Sequence, residues 1–215
     1  AGIFNGYGAK THLVYRGDLP LRGFDDDIRR HIAVAMQDRG IILHPGTTID
    51  ALEDNKAKKI ATLSDGTKMH VNQVMAATGR KPNTDNLGLD QIGVDMGRNG
   101  EILVDAYSCT SVPSIYAVGD VTDRVNLTPV AINEGHAFAD TLYGNNPRII
   151  SHENIASAVF SQPPIATVGL SEADAAKTFD KIRVYESQFR AMKNTISGRG
   201  EKTYMKLIVD DTTDK

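Results

Sequence analysis

The chain is 215 residues long, carries 24 Lys and Arg against 27 Asp and Glu for a formal net charge of −3, and is 40% hydrophobic. That length holds one large globular domain or two smaller ones, and the near-neutral charge speaks against a nucleic-acid or anionic-membrane footprint. No apolar run approaches the ~20 residues of a membrane-spanning helix, one cysteine (Cys109) leaves no internal disulfide or CxxC motif, and the six histidines lack metal-ligand spacing.

Residues 1–8 read as the last turns of a helix closed by Gly6 and Gly8, which supply the left-handed backbone of a helix end. That helix has no N-cap and no strand before it, so the chain is expected to be an excised stretch of a larger protein; frayed natural termini are the alternative. An apolar strand follows at 10–16, with Leu13, Val14 and Tyr15. Residues 25–38 predict a helix. Ile28, Ile32, Val34, Ala35 and Met36 give it an apolar face, and three aspartates suit its positive end. Gly40 stops it before a short buried strand, Ile41-Ile42-Leu43. Strands at 47–52 and 58–63, the turn Ser64-Asp65-Gly66-Thr67 and a strand at 68–71 make a β-meander. A last strand at 73–77 runs into Thr78-Gly79-Arg80-Lys81-Pro82 and completes a βαβ unit with an antiparallel flap.

The next stretch is loop-rich, then offers strands at 101–104 and 115–118 and a helix from Thr128 to Tyr143. From about Ser151 come strands at 158–161 and 165–168 around the breaker Gln162-Pro163-Pro164. A helix at 172–179 and strands at 181–189 and 203–209 follow, half of an α+β sandwich. The polar residues 210–215 suit a turn towards a further strand outside the chain. No internal repeat or low-complexity stretch appears. The boundaries fall at 1–82, 83–150 and 151–215.

Four segments can carry chemistry. A strand after a glycine-closed helix resembles the second strand of a dinucleotide-binding fold, where an acid at the strand tip binds the ribose 2′-OH and an arginine accommodates a 2′-phosphate. This strand ends in Arg16, and its loop returns Arg22. Two guanidiniums can grip a phosphate dianion with paired, charge-assisted hydrogen bonds; two solvated arginines fit the same residues. Gly79 lies at the carboxyl end of its strand, where open α/β sheets place ligands and a missing Cβ admits a cofactor, or it simply turns the chain before Pro82. Asp120 closes Ile115-Tyr116-Ala117-Val118-Gly119-Asp120, where its carboxylate can accept from a sugar or ribityl hydroxyl, or cap the next loop. Thr128 at the N-cap and Pro129 at the first position open a helix whose positive end suits a developing anion such as the N1–C2=O edge of a reduced flavin; an ordinary capped helix fits equally.

Taken in order, Ala77-Thr78-Gly79-Arg80-Lys81-Pro82-Asn83-Thr84, the Tyr-Ala-Val-Gly-Asp core at 116–120, Leu127-Thr128-Pro129-Val130-Ala131 and residues 159–170 resemble the flavin-dependent pyridine nucleotide–disulfide oxidoreductases. The arginine pair, with Phe189-Arg190-Ala191-Met192-Lys193, is similar to the NADPH-selective glutathione-reductase branch. The resemblance implies an α/β architecture: an incomplete Rossmann-like NADPH domain, part of an FAD-binding domain and part of an α+β dimerisation domain. It implies the cofactors FAD and NADP(H). Arg16 and Arg22 would hold the 2′-phosphate, Gly79 would line the nicotinamide-nucleotide site, and Asp120 would bind the ribityl–phosphate region. Thr128 would meet the isoalloxazine through its backbone, and Phe160 would sit near the flavin. It further implies a cytoplasmic homodimer acting on glutathione disulfide, with no nucleic acid, membrane or metal. The redox cysteine pair and the acid/base histidine would lie outside these residues, so the chain alone is expected to be inactive. Reduction of lipoamide, mercuric ion or a trypanothione-type disulfide, or a non-catalytic nucleotide-binding fragment, remains open at this point.

Overall fold

A computed structural model describes residues 1–55 and 58–215 and divides the chain into two compact units, residues 1–75 with 154–215, and residues 76–153. The first unit opens with a short helix, α1 (Gly2–Gly6). Strand β1 (His12–Val14) then runs parallel to β2 (Ile42–His44), with Leu13 opposite Leu43, and α2 (Asp26–Asp38) crosses between them. Helix α2 starts where it does because the Asp25 carboxylate accepts the Asp27 N–H at 3.0 Å. It stops where Gly40 takes φ +86°, a conformation that favours glycine. Ile32 and Ala33 are buried, whereas Val34, expected on the apolar face, is 57% exposed. Ile28, Ile32, Ala35 and Met36 follow the i, i+4, i+7, i+8 stripe and Val34 falls off it.

The meander forms as β3 (Ile49–Asn55), β4 (Lys58–Leu63) and β5 (Lys68–Val71), antiparallel in that order, with Ala61 and Leu63 of β4 buried. The strand expected at 73–77 does not form. Among the described residues β1 and β2 pair only with each other, and a strand exists only through its ladder partner.

The later part of this unit holds the hairpin of β6 (Ser157–Val159) and β7 (Ile165–Thr167), with a cis Gln162–Pro163 bond in its connection. Helix α4 (Glu172–Thr178) is capped by Ser171, whose hydroxyl accepts the Asp174 N–H at 3.2 Å. Strand β8 (Ile182–Phe189) pairs along its whole length with β9 (Thr203–Asp210), and a four-residue helix not anticipated from the sequence, α5 (Lys193–Ile196), lies between them. Residues 210–215 turn as expected, closed by Asp210 N–H to Lys215 O at 2.8 Å. Lys206 of β9, its side chain 5% exposed, joins the two sequence segments of the unit: its ammonium lies 2.9 Å from Asp25, 2.6 Å from Asp27 and 2.6 Å from Glu172.

The second unit packs Leu89, Val104, Val112, Ile115 and Val121 around buried Val94, Ile102 and Ala117. Its expected strands at 101–104 and 115–118 are reduced to single bridges, Met96 to Ile102 and Cys109 to Tyr116. Gly119, at φ +73°, ends the second one by turning the chain into a 3-10 turn, Gly119–Thr122. Helix α3 (Thr128–Tyr143) spans the expected residues and buries Val130, Glu134 and Ala137, one stripe at i, i+4, i+7. No helix among the described residues is long and apolar enough to cross a membrane.

Candidate functional site

In the first unit, the chain leaves β1 through Tyr15, whose N–H reaches His44 O at 3.2 Å, and enters a loop anchored by Gly46 N–H to Gly17 O at 3.0 Å. Arg16 and Arg22 stand on this loop, both exposed, and neither forms an ion pair among the described residues. The loop closes with Phe24 N–H to Leu21 O at 3.2 Å, Leu21 itself taking φ +56°. Beneath it the Tyr15 phenol is pushed above its ordinary value, chiefly by burial, with the Arg29 charge opposing and the Asp18 charge adding. The arrangement presents two unengaged cations on a shaped loop at the carboxyl end of a parallel strand, the place where such folds bind ligands. Phe160 belongs to the same unit but to another element, the β6–β7 connection, and is 89% exposed.

The second unit gathers the other three residues. Gly79 adopts φ +139°, and a Cβ placed there would meet nothing within 4 Å, so its backbone faces open space. The neighbouring Arg80 reaches Asp120, Nη1 to Oδ2 at 3.1 Å. Asp120 therefore sits in the 3-10 turn rather than at the end of a strand as expected. One carboxylate oxygen is engaged by Arg80, and its side chain is 45% exposed. The turn packs closely on α3: a Cβ at Gly119 would lie 3.0 Å from the Ala131 Cβ. Glu134, one helical turn along, fixes it. Its carboxylate accepts Gly119 N–H at 2.6 Å and lies 2.8 Å from Arg124 and 2.6 Å from His152.

Thr128 differs from expectation by one position. Leu127 is the N-cap, and Thr128 is the first helical residue with Pro129 beside it. No side chain caps the helix, and the first-turn bonds run from Val130 and Ala131 N–H to Leu127 O at 3.0 and 3.1 Å. The exposed Thr128 leads an uncapped sixteen-residue helix whose positive end faces outward.

Sequence reading missed Arg80 and Glu134 as parts of this site. Glu134 carried a usable signal, a carboxylate on the apolar stripe of a helix, which demands buried partners. Arg80 carried none beyond its place after Gly79.

Residues 1–135 match the pyridine nucleotide-disulphide oxidoreductase model, and residues 155–215 match the dimerisation domain of the same family. Over all 215 residues the chain is 50% identical to a glutathione reductase of Burkholderia cepacia, of which it covers 48%. It is 45% identical to a glutathione reductase of Nostoc sp., covering 50% of that protein, and 44% identical to a trypanothione reductase of Trypanosoma congolense, covering 44%. The HOCl-induced flavoprotein disulfide reductase RclA of Escherichia coli superposes with a TM-score of 0.89 at 25% identity, over 97% of this chain and 48% of that one. The chain thus spans about half the length of the curated relatives it matches. It belongs to the pyridine nucleotide-disulphide oxidoreductase family.

Proposed function

We propose that the chain is the central portion of an NADPH-dependent flavoprotein that reduces glutathione disulfide. The observation that carries this reading is the loop bearing Arg16 and Arg22, exposed and free of ion pairs among the described residues, at the tip of β1 in a member of this family. Each guanidinium offers the planar donor fork that fits the 2′-phosphate distinguishing NADPH from NADH.

FAD, when bound, mediates electron transfer between the pyridine nucleotide and a disulfide. The residues present fit it: Asp120 keeps one carboxylate oxygen for a ribityl hydroxyl, and the uncapped start of α3 at Thr128 favours negative charge beside it. Gly79, where a Cβ would meet nothing within 4 Å, lines the nicotinamide-nucleotide site in this reading, and Phe160, 89% exposed, is assigned as an aromatic contact of the flavin. The domains follow as 1–82 for NADPH, 83–150 for FAD and 151–215 for dimerisation. Cys109 is the only cysteine, so a redox cysteine pair cannot lie within these 215 residues; the acid/base histidine is assigned outside them by the family resemblance alone.

Pairing of two copies through 155–215 is part of the proposal, supported by the match to a dimerisation domain and by Met192 and Ile196, which are 89% and 97% exposed. So is a cytoplasmic setting, although a relative from Pisum sativum is named as chloroplastic/mitochondrial. The test is NADPH oxidation by the full-length protein with glutathione disulfide, trypanothione disulfide and lipoamide in parallel. Glutathione disulfide is expected to give the highest kcat/KM. A higher value for either of the others replaces the substrate, and oxidation with none of them removes the reductase reading.

A further inference from the structure

The guanidinium of Arg29 on α2 is engaged on every side. Its Nε donates to Pro20 O at 2.9 Å, one terminal nitrogen to Leu19 O at 2.9 Å, and the other to Asp26 at 2.7 Å. The side chain is 19% exposed, and Pro20 above it is buried. Both carbonyls belong to the loop between Arg16 and Arg22, at its midpoint. Without them the loop would be held only at its ends, by Gly17 and by the Leu21–Phe24 turn. Leu21, at φ +56°, is in a region that a leucine leaves unless its neighbours hold it there.

We infer that Arg29 is a positioning residue for 2′-phosphate recognition: by pinning Leu19 and Pro20 it holds the loop in the one shape that presents Arg16 and Arg22 to the same phosphate. The inference rests on the assignment of those two arginines proposed above. Arg29 does not itself contact the ligand, because its donors are directed at the loop and at Asp26. Its platform is fixed in turn, since the Asp25 N-cap of α2 accepts from Glu172 N–H at 3.0 Å and from Lys206 at 2.9 Å. A lysine at position 29 keeps the charge but cannot reach two carbonyls and a carboxylate with the geometry of a planar fork.

Arg29→Lys therefore separates positioning from charge. The full chain and its Arg29→Lys variant are titrated with 2′,5′-ADP and with 5′-AMP, followed by NMR, and the ratio of the two Kd values is read. The wild-type chain is expected to favour 2′,5′-ADP by about tenfold, the scale of a lost charge-assisted contact. In Arg29→Lys that ratio is expected to fall at least ~3-fold while the 5′-AMP Kd and the melting temperature hold. An unchanged ratio, or an equal weakening of both ligands, overturns the positioning role. A wild-type ratio near one overturns the assignment of Arg16 and Arg22 first, and this inference with it. Should Arg29→Lys not fold, Arg29→Met, which keeps the apolar stem and has no donor for Leu19 O or Pro20 O, reads the same ratio: a fall with the 5′-AMP Kd unchanged supports the inference and no change overturns it.

Discussion

The carboxylate of Glu134, 2% exposed, accepts a 2.6 Å hydrogen bond from the amide of Gly119 and so bolts the turn that carries Asp120 to helix α3. The same carboxylate pairs with Arg124 and lies 2.6 Å from the His152 ring nitrogen Nε2. Glu134→Ala leaves a buried N–H without its acceptor, Arg124 without its counter-charge and His152 without its hydrogen-bond partner, and is expected to cost about 3 kcal/mol. Urea unfolding of the full chain measures it through the midpoint at unchanged slope. A loss below about 1 kcal/mol would show that the turn holds itself.

Lys206 and Asp25 give the first unit a pH dependence of defined sign. Burial alone would raise the Asp25 carboxyl, but hydrogen bonds from Glu172 N–H, Lys206 and Asp27 N–H outweigh it and hold it below its ordinary 3.8. A depressed carboxyl stabilises the fold fully above its unfolded value, and that contribution is lost as pH falls through the folded one. Lys206, despite the opposing cost of burial, is held above its ordinary value by Asp27, Glu172 and Asp25, so it stays charged throughout. Lys206→Met leaves three carboxylates facing one another and is expected to cost about 3 kcal/mol near neutral pH. The difference from wild type should shrink below pH 4 as the carboxyls protonate; denaturation midpoints across pH 3 to 7 give the curve, and a pH-independent difference would contradict the ion-pair account.

His12 and His44 come from adjacent parallel strands and stack with ring centroids 5.2 Å apart, Nδ1 of one 2.9 Å from Nε2 of the other. Burial first, then the charges of His44 and Lys10, hold His12 below its ordinary 6.5. A histidine depressed in the folded state favours folding above its unfolded value and loses that contribution as pH falls towards the folded one. An NMR titration of the imidazole protons should therefore place the His12 midpoint below 6.5. A midpoint above that value would mean the pair gains rather than resists a proton.

Helix α2, helix α3 and the meander were legible because their signals are local: three aspartates at a helix start, Gly40 at a stop, a 3.6-residue stripe, Asp65-Gly66 at a turn. The strands expected at 73–77, 101–104 and 115–118 failed for the converse reason. Apolar residues make a segment fit for a strand, but only a neighbouring backbone makes it one. Helix α5 has four residues, too few to show a period. The candidates Arg16, Arg22, Gly79, Asp120 and Thr128 could be proposed from residue type and position. Their supports could not, because Arg80 meets Asp120 across 40 residues and Lys206 meets Asp25 across 181. Arg29 lies close in sequence to the loop it holds, yet reads as one more charge on a solvated helix face until its donors are seen to point at Leu19 and Pro20.

The arginine loop carries the NADPH assignment, and cofactor preference tests it most directly. The ratio of kcat/KM for NADPH to that for NADH should be measured in the full-length protein and in its Arg16→Glu and Arg22→Glu variants. Each substitution is expected to lower the ratio at least ~10-fold, about 1.4 kcal/mol, by weakening NADPH and leaving NADH largely untouched. A ratio that stays at the wild-type value in both variants would contradict the assignment of the 2′-phosphate to this loop.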